Sequence, residues 1–341
     1  MRTFWIVTLL ALSAAGQQQP PAKPTFTASS NLVIVDVTVK DKSGKAIDAL
    51  RLEDFVVLED GKPQKIQVFE HQQLSVEPQP PEPPPSLDDR NALPPAPKTT
   101  ITAEHPGTIK YHDKRLMVLF FDFSNMGIPE QLRAQEAAQK FLDTQMTSSD
   151  MLAILLFTTT IQVKTDFTAD RTVLGDIIKS LPIGDSAEMA ADADTGDDNG
   201  EDTGAAFVAD ETEFNVFNTD RKLAAIEDAV RKLAALPEKK ALVYITGGIS
   251  KTGMENQAQL EASINAAVKA NVAIFPIDAR GLMGDPPGGG ASKGASRGAG
   301  IFNGGLVNAQ RASINSSQET LATLAADTGG KVFLDSNSKN R

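Results

Sequence analysis

The sequence contains no cysteine and only three histidines, His71, His105 and His112. Without cysteine, the chain has no disulfide, no thiolate metal ligand and no thiol nucleophile. The histidines lack the paired spacing of a zinc site. Basic residues are also scarce relative to acidic ones, and the formal net charge is -11 at pH 7. Because such a chain is repelled by phosphate backbones and anionic lipid surfaces, we expect no nucleic-acid partner.

Long apolar segments are equally scarce. After residue 16, no stretch reaches the roughly 18 apolar residues that a membrane-spanning helix needs, so we expect no membrane insertion. The N-terminus itself is typical of an export signal, with basic Arg2, an apolar Phe4–Leu12 and the small residues "SAAG" at 13–16. We therefore predict a cleaved signal peptide over 1–16 and a secreted or periplasmic protein. A buried N-terminal helix is the alternative.

The 341 residues suffice for about two domains, and the pattern predicts a small one first. Valine recurs at every second position from Val33 to Val39, which is typical of a half-buried strand. The segment 41–45 ("DKSGK") predicts a turn, and Asp60-Gly61 predicts a hairpin. We expect residues 25–72 to form a small antiparallel β-rich module.

Three segments lack apolar periodicity. Residues 73–110 are proline-rich and predict an extended linker, with a ligand for a proline-recognising module as the alternative. Residues 184–213 are acidic and 284–305 are glycine-rich, and both predict loop insertions. The acidic run 192–202 ("DADTGDDNGED") departs from the calcium-loop pattern, and the glycine-rich run lacks the phosphate-loop pattern.

From residue 111 to 341 the pattern changes to strands alternating with helices. The strands are predicted from continuous apolar runs, which suit strands that are covered on both faces. The runs are Leu116–Phe121, Met151–Phe157, Ala241–Ile245, Val272–Ile277 and Val332–Leu334. The alternating segment 161–167 ("IQVKTDF") predicts an edge strand. The predicted fold class is α/β, a doubly wound, mainly parallel, Rossmann-like sheet that follows the small antiparallel β module.

Helical spacing fills the intervals between these strands. Pro129 is predicted to open a helix, since proline suits the first helical turn. The expected inward residues of the helices are Leu132, Ala138, Phe141, Leu142, Leu223, Ile226, Val230, Leu233, Leu236, Leu260, Ile264 and Val268. The segment 316–319 ("SSQE") predicts a capping box that starts the last helix, and Gly329-Gly330 predicts its end. No helix covers the last strand before Arg341, so we expect the natural chain to continue.

The order of these elements resembles a von Willebrand factor type A domain. The strand ends "DFS" (122–124), "TGG" (246–248) and "PIDARGL" (276–282) carry the resemblance. More narrowly, "DFVVLEDGKPQKI" (54–66) and "IFPIDARGL" (274–282) resemble exported VWFA-related proteins of Acidobacteria. The resemblance covers about 33–72 and 114–335, and it implies fold and location more strongly than biochemistry.

Domains of this family commonly hold Mg²⁺ in a metal-ion-dependent adhesion site, D-x-S-x-S plus a threonine and an acid from other loops. The resemblance places Asp122 and Ser124 at the first two positions and Thr219 at the threonine, which gives the predicted metal ligands. Met126 stands at the third position of the motif and Gly247 at the position of its acid, so the site is degenerate. The expected cofactor is therefore none, or weakly bound Mg²⁺, because hard cations need such oxygen ligands.

The chemistry of these residues leaves alternatives open. Asp122 and Ser124 also suit a strand-end turn, and Asp278 also suits a turn into Arg280. No Ser–His–Asp grouping is visible. We expect a non-enzymatic module that binds another protein, with a predicted binding rim formed by Asp122, Ser124, Asn125, Thr219, Gly247 and Asp278. A structural envelope component and a hydrolase with a carboxylate pair are the alternatives.

Overall fold

A computed structural model describes residues 35–74 (without 36, 48, 68, 70 and 73), 99–103, 110–184, 211–249, 251, 256–280 and 305–334. The side chains of 211–215, 305–311 and 313 are outside that description. So are the predicted signal peptide, most of the predicted linker, and nearly all of the acidic and glycine-rich insertions. No helix in the described ranges is long and apolar enough to cross a membrane.

The chain divides into two compact units, Met1–Val56 and Val57–Arg341. In the first, the predicted turn is present: Asp41 accepts hydrogen bonds from the backbone N–H groups of Ser43 and Lys45. The Ser43 hydroxyl also donates to Asp41. This bond contributes most to lowering the pKa of Asp41, and the backbone bonds lower it further. A short 3-10 helix follows at Leu52–Asp54. The predicted half-buried strand is not found among the described residues, since Val35 and Val37 are exposed.

The second unit begins with the predicted hairpin. Strands β1 (Val57–Glu59) and β2 (Lys62–Gln64) pair antiparallel. Asp60 and Gly61 between them both have positive φ, 49° and 77°. This is the geometry of the two-residue turns whose twist matches that of the strands, and it confirms the prediction from the Asp-Gly pair.

A five-stranded sheet organises the rest of this unit. Its strands are β3 (Arg115–Asp122), β4 (Asp150–Phe157), β5 (Ile161–Thr168), β6 (Lys240–Thr246) and β7 (Val272–Asp278). They lie in the order β5-β4-β3-β6-β7, and all neighbours are parallel except the edge strand β5. The mixed α/β class, the mainly parallel sheet and the edge position of 161–167 are confirmed.

Helices cover both faces of the sheet. They are α1 (Ile128–Thr144), α2 (Arg171–Lys179), α3 (Glu211–Leu233), α4 (Gln257–Lys269) and α5 (Gly305–Asp327). One apolar core joins the sheet to α1 and α2, and a second joins it to α3, α4 and α5. Since β3, β4, β6 and β7 are covered on both sides, their sequences are continuous apolar runs, whereas the edge strand β5 alternates.

Four details differ from the sequence prediction. Leu132 and Val268 are exposed, because they fall just outside the buried stripes of α1 and α4. The segment 316–319 lies inside α5 rather than at its start, so it caps nothing. In place of a strand at Val332–Leu334, the described residues there form a single parallel bridge, Ile277 to Phe333. The predicted helix end is confirmed, since the N–H of Gly330 bonds to the carbonyl of Ala325.

Candidate functional site

The sheet register brings the carboxyl ends of its central strands level with one another. Asp122, the last residue of β3, is paired with Phe157 of β4 and with Thr246 of β6. Thr246 is paired in turn with Asp278 of β7. Ligands bind at this edge in open α/β sheets, because the loops that leave parallel strands converge there. We call this edge, with Asp122, Ser124, Asn125, Thr219, Gly247 and Asp278, the rim.

The carboxylate of Asp122 is buried and accepts four hydrogen bonds. Its Oδ1 accepts from the backbone N–H of Ser124 at 3.1 Å and from the Ser124 hydroxyl at 2.5 Å. Its Oδ2 accepts from the Tyr244 phenol at 2.5 Å and from the Thr246 hydroxyl at 3.2 Å. An ionised carboxylate offers about four lone-pair positions, so the protein itself occupies the whole acceptor capacity of Asp122.

A buried lysine interacts electrostatically with this acid. Lys222 projects from α3 with only 5% of its surface exposed, and its Nζ donates to the carbonyl of Gly248 at 2.8 Å. Burial lowers the pKa of Lys222, while the charge of Asp122 acts in the opposite direction. Thr219 is also buried, one turn earlier on α3, and not on the loop where the sequence suggested it.

Asp278 forms a charged pair with Arg280 on the rim. Its carboxylate receives two parallel bonds from Arg280, Nε to Oδ1 at 2.9 Å and Nη2 to Oδ2 at 2.6 Å. It also accepts from the backbone N–H of Arg280, so the predicted turn role is confirmed. Arg280 reaches on to the hydroxyl of Ser317 in α5, and that hydroxyl also accepts from the N–H of Ile249. Bidentate pairs of this kind fix geometry as well as charge.

The two glycines after β6 are tightly enclosed. A Cβ added at Gly247 would lie 2.7 Å from the carbonyl oxygen of Asn125. A Cβ at Gly248, which has φ +101°, would collide with the Ser317 hydroxyl. The fully buried side chain of Met126 packs beside Gly247. The position where the resemblance expects an acid is therefore closed to any side chain unless the neighbouring backbone moves.

This geometry is a poor fit for a hydrated divalent ion. Mg²⁺ needs free oxygen lone pairs in near-octahedral arrangement, yet those of Asp122 are taken and Met126 offers a thioether. The described residues contain no group of three or more histidines or carboxylates able to hold a metal. The ligand set Asp122, Ser124 and Thr219 stays a prediction, and the hydrogen bonds at the rim argue against it.

The structure thus assembles the predicted Asp122, Ser124, Gly247 and Asp278 at one edge, with the Asn125 backbone against Gly247 and Thr219 buried on the adjoining helix. Sequence analysis missed the other residues of the network, namely Lys222, Tyr244, Thr246, Gly248 and Ser317, and it expected Arg280 only as a turn residue. One signal was available: Lys222 stands four residues before Ile226 and eight before Val230, on the apolar stripe of α3. A charged residue on a buried stripe indicates an internal partner.

A search of protein families gives no match for this chain, and a search of curated proteins gives none. Solved structures do resemble it in fold. It is similar to an aerotolerance-related membrane protein from Bacteroides fragilis (15% identity, 66% of this chain and 92% of that one, TM-score 0.37). It is also similar to BatB from Bacteroides thetaiotaomicron (16%, 66% and 92%, TM-score 0.35).

A third similar structure is the N-terminal part of the type V pili tip protein Mfa5 from Porphyromonas gingivalis. The identity is 13%, the match covers 64% of this chain and 46% of that one, and the TM-score is 0.35. These identities and scores are too low to transfer a function.

Proposed function

We propose that this chain is an exported, non-enzymatic module of the von Willebrand factor A type that binds another protein through its rim. The observation that carries the proposal is the strand register, which brings Asp122, Thr246 and Asp278 level at one edge. The motif positions Asp122 and Ser124 lie there, as the resemblance implies. The location is secreted or periplasmic, in line with the predicted signal peptide over 1–16.

The exposed part of the rim provides the contact surface. Asn125 is exposed beside the enclosed Gly247, and Ile128 at the start of α1 is 47% exposed. Thr159 is exposed after β4, where its carbonyl accepts from Arg221 of α3. An apolar side chain surrounded by polar groups is the usual composition of a protein contact. The buried acids support this surface instead of contacting the partner themselves.

The charged residues also favour binding over hydrolysis. A carboxylate-pair hydrolase needs two acids that are free to exchange protons with a substrate. Asp122 and Asp278 are each occupied by several internal donors. A cavity of about 450 Å³ does lie beside β5, but its lining residues include no acid; they are Thr99, Ile161, Gln162, Val163, Lys164 and Lys232.

Binding can be tested with the full chain and the native envelope fraction. The variants Asn125→Arg and Ile128→Asp change the exposed rim and leave the buried network intact. Asp143→Arg and Gln145→Arg are matched controls, because they are exposed at the other end of α1. We expect a partner that is retained by the wild type and both controls and lost with both rim variants. Equal capture by all five proteins would contradict a role for the rim.

A further inference from the structure

Two acids on the rim are buried, and each needs a positive charge near it. Asp122 is 1% exposed and Asp278 is 7% exposed. An ionised carboxylate that leaves water without compensation is strongly unfavourable. Arg280 compensates Asp278 through the two bonds described above. The remaining question is what compensates Asp122, which receives only neutral donors.

Lys222 is the cation placed to do so. Lysine side chains usually extend along a surface until the ammonium group reaches water. Lys222 instead directs its Nζ inward to the carbonyl of Gly248, at the end of the strand that neighbours Asp122. It interacts electrostatically with Asp122. Thr246 connects the two groups, since its hydroxyl donates to Asp122 and accepts from the N–H of Gly248.

We infer that the Lys222 ammonium is a built-in cation, supplying at this rim the positive charge that a bound divalent ion supplies in a metal-dependent adhesion site. The enclosed Gly247 fits this inference, because a second acid at that position would bring a negative charge that one ammonium cannot balance. The rim then keeps its structure without a metal. This charge balance is a property of the folded chain and does not depend on partner binding.

A double-mutant cycle in the full chain tests the charge pairing. Lys222→Met removes the charge at similar length, and we expect it to lower the melting temperature by about 10 °C, as for a broken buried pair in a domain of this size. Asp122→Asn then removes the charge that Lys222 would balance. We expect the double variant to lose clearly less than the sum of the two single losses. Lys232→Met is the control, because Lys232 is half-buried on α3 and pairs at the surface with Asp228. It should change the melting temperature by no more than about 2 °C.

Additive losses of melting temperature would overturn the inference, since they would show that Lys222 acts only as a hydrogen-bond donor to the Gly248 carbonyl. If Lys222→Met alone does not fold, a folded double variant supports the pairing, and failure of both contradicts it. A second measurement uses the wild type with EDTA, Mg²⁺, Mn²⁺ or Ca²⁺. We expect equal melting temperatures in all four. A rise of several degrees with one metal, abolished by Asp122→Asn, would show that a bound ion supplies the charge.

Discussion

The phenolic oxygen of Tyr244 lies 2.5 Å from Oδ2 of Asp122, across the interface between two parallel strands. Burial, together with the charge of Asp122, raises the pKa of Tyr244 well above its ordinary value. The phenol therefore stays protonated and donates a hydrogen bond to the Asp122 carboxylate. Its ring packs against Phe120 with centroids 5.4 Å apart, so the side chain serves the core and the rim together.

Tyr244→Phe should lower the free energy of unfolding by about 1–3 kcal/mol, because it leaves one oxygen of a buried carboxylate short of a donor. The ring and its packing on Phe120 are retained, so the loss reports the hydroxyl alone. Urea denaturation measures it. Tyr111→Phe is the control, since the Tyr111 hydroxyl accepts from the exposed Lys110. Equal losses in the two variants would contradict a special role for the bond to Asp122.

Alkaline pH should weaken the fold through the same residue. The folded pKa of Tyr244 is raised, so the folded state holds its proton more tightly than the unfolded chain does. This contribution to the stability of the fold is complete below the unfolded-state pKa of about 10, and it is lost progressively as the pH rises further. Tyrosinate absorbance should show Tyr244 ionising only as the protein unfolds. Subtracting the signal of Tyr244→Phe identifies the absorbance of Tyr244. If Tyr244 ionises near pH 10 while the protein is still folded, the loss of stability at alkaline pH has another cause.

Ser317→Ala should cost about 1–3 kcal/mol of stability, whereas Ser316→Ala should stay within about 0.5 kcal/mol. The Ser317 hydroxyl is buried and accepts from the N–H of Ile249 and from Arg280. The hydroxyl of Ser316, which is only partly buried, makes one long bond of 3.3 Å to the carbonyl of Lys251. Chemical denaturation of both variants gives the comparison. Similar losses for the two serines would show that Ser317 does not hold the turn after β7.

Gly247→Asp restores the acid of the adhesion motif in the sequence, but the structure leaves no space for its side chain. Its Cβ would meet the carbonyl of Asn125, and overpacking of this kind typically costs about 1–3 kcal/mol before the buried charge is counted. We expect a destabilised protein that Mg²⁺ does not rescue. Gly175→Ala in α2 is the control, because its Cβ would meet only the flexible end of Gln139. A melting temperature of Gly247→Asp that rises with Mg²⁺ would show that the rim still accepts a metal.

The sheet could be predicted from sequence because its signals are local. The apolar runs of β3, β4, β6 and β7, and the alternation of 161–167, lie in single segments and follow from burial on two faces or one. The errors at Leu132 and Val268 arose at the borders of helical stripes, where periodicity alone does not say which neighbour covers a residue. The segment 316–319 failed as a cap because a long helix continued through it.

The rim could be located from sequence but its chemistry could not. The motif remnant at Asp122 and Ser124 identified the edge, and the strand order placed Asp278 beside it. Apart from Ser124, the residues that interact with Asp122 lie about 100 or more positions later, namely Lys222, Tyr244 and Thr246. No local pattern links them to the acid.

The sequence by itself determined the α/β class, the hairpin at Asp60-Gly61 and the place where strand ends carry polar groups, because each follows from periodicity or turn geometry within a few residues. Only the tertiary structure decided what these groups do. It filled the lone pairs of Asp122 with internal donors, brought Lys222 inward and closed the space at Gly247 against the Asn125 backbone. The physical reason is that charge compensation and close packing depend on distances between strands and helices that the chain sets only when it folds.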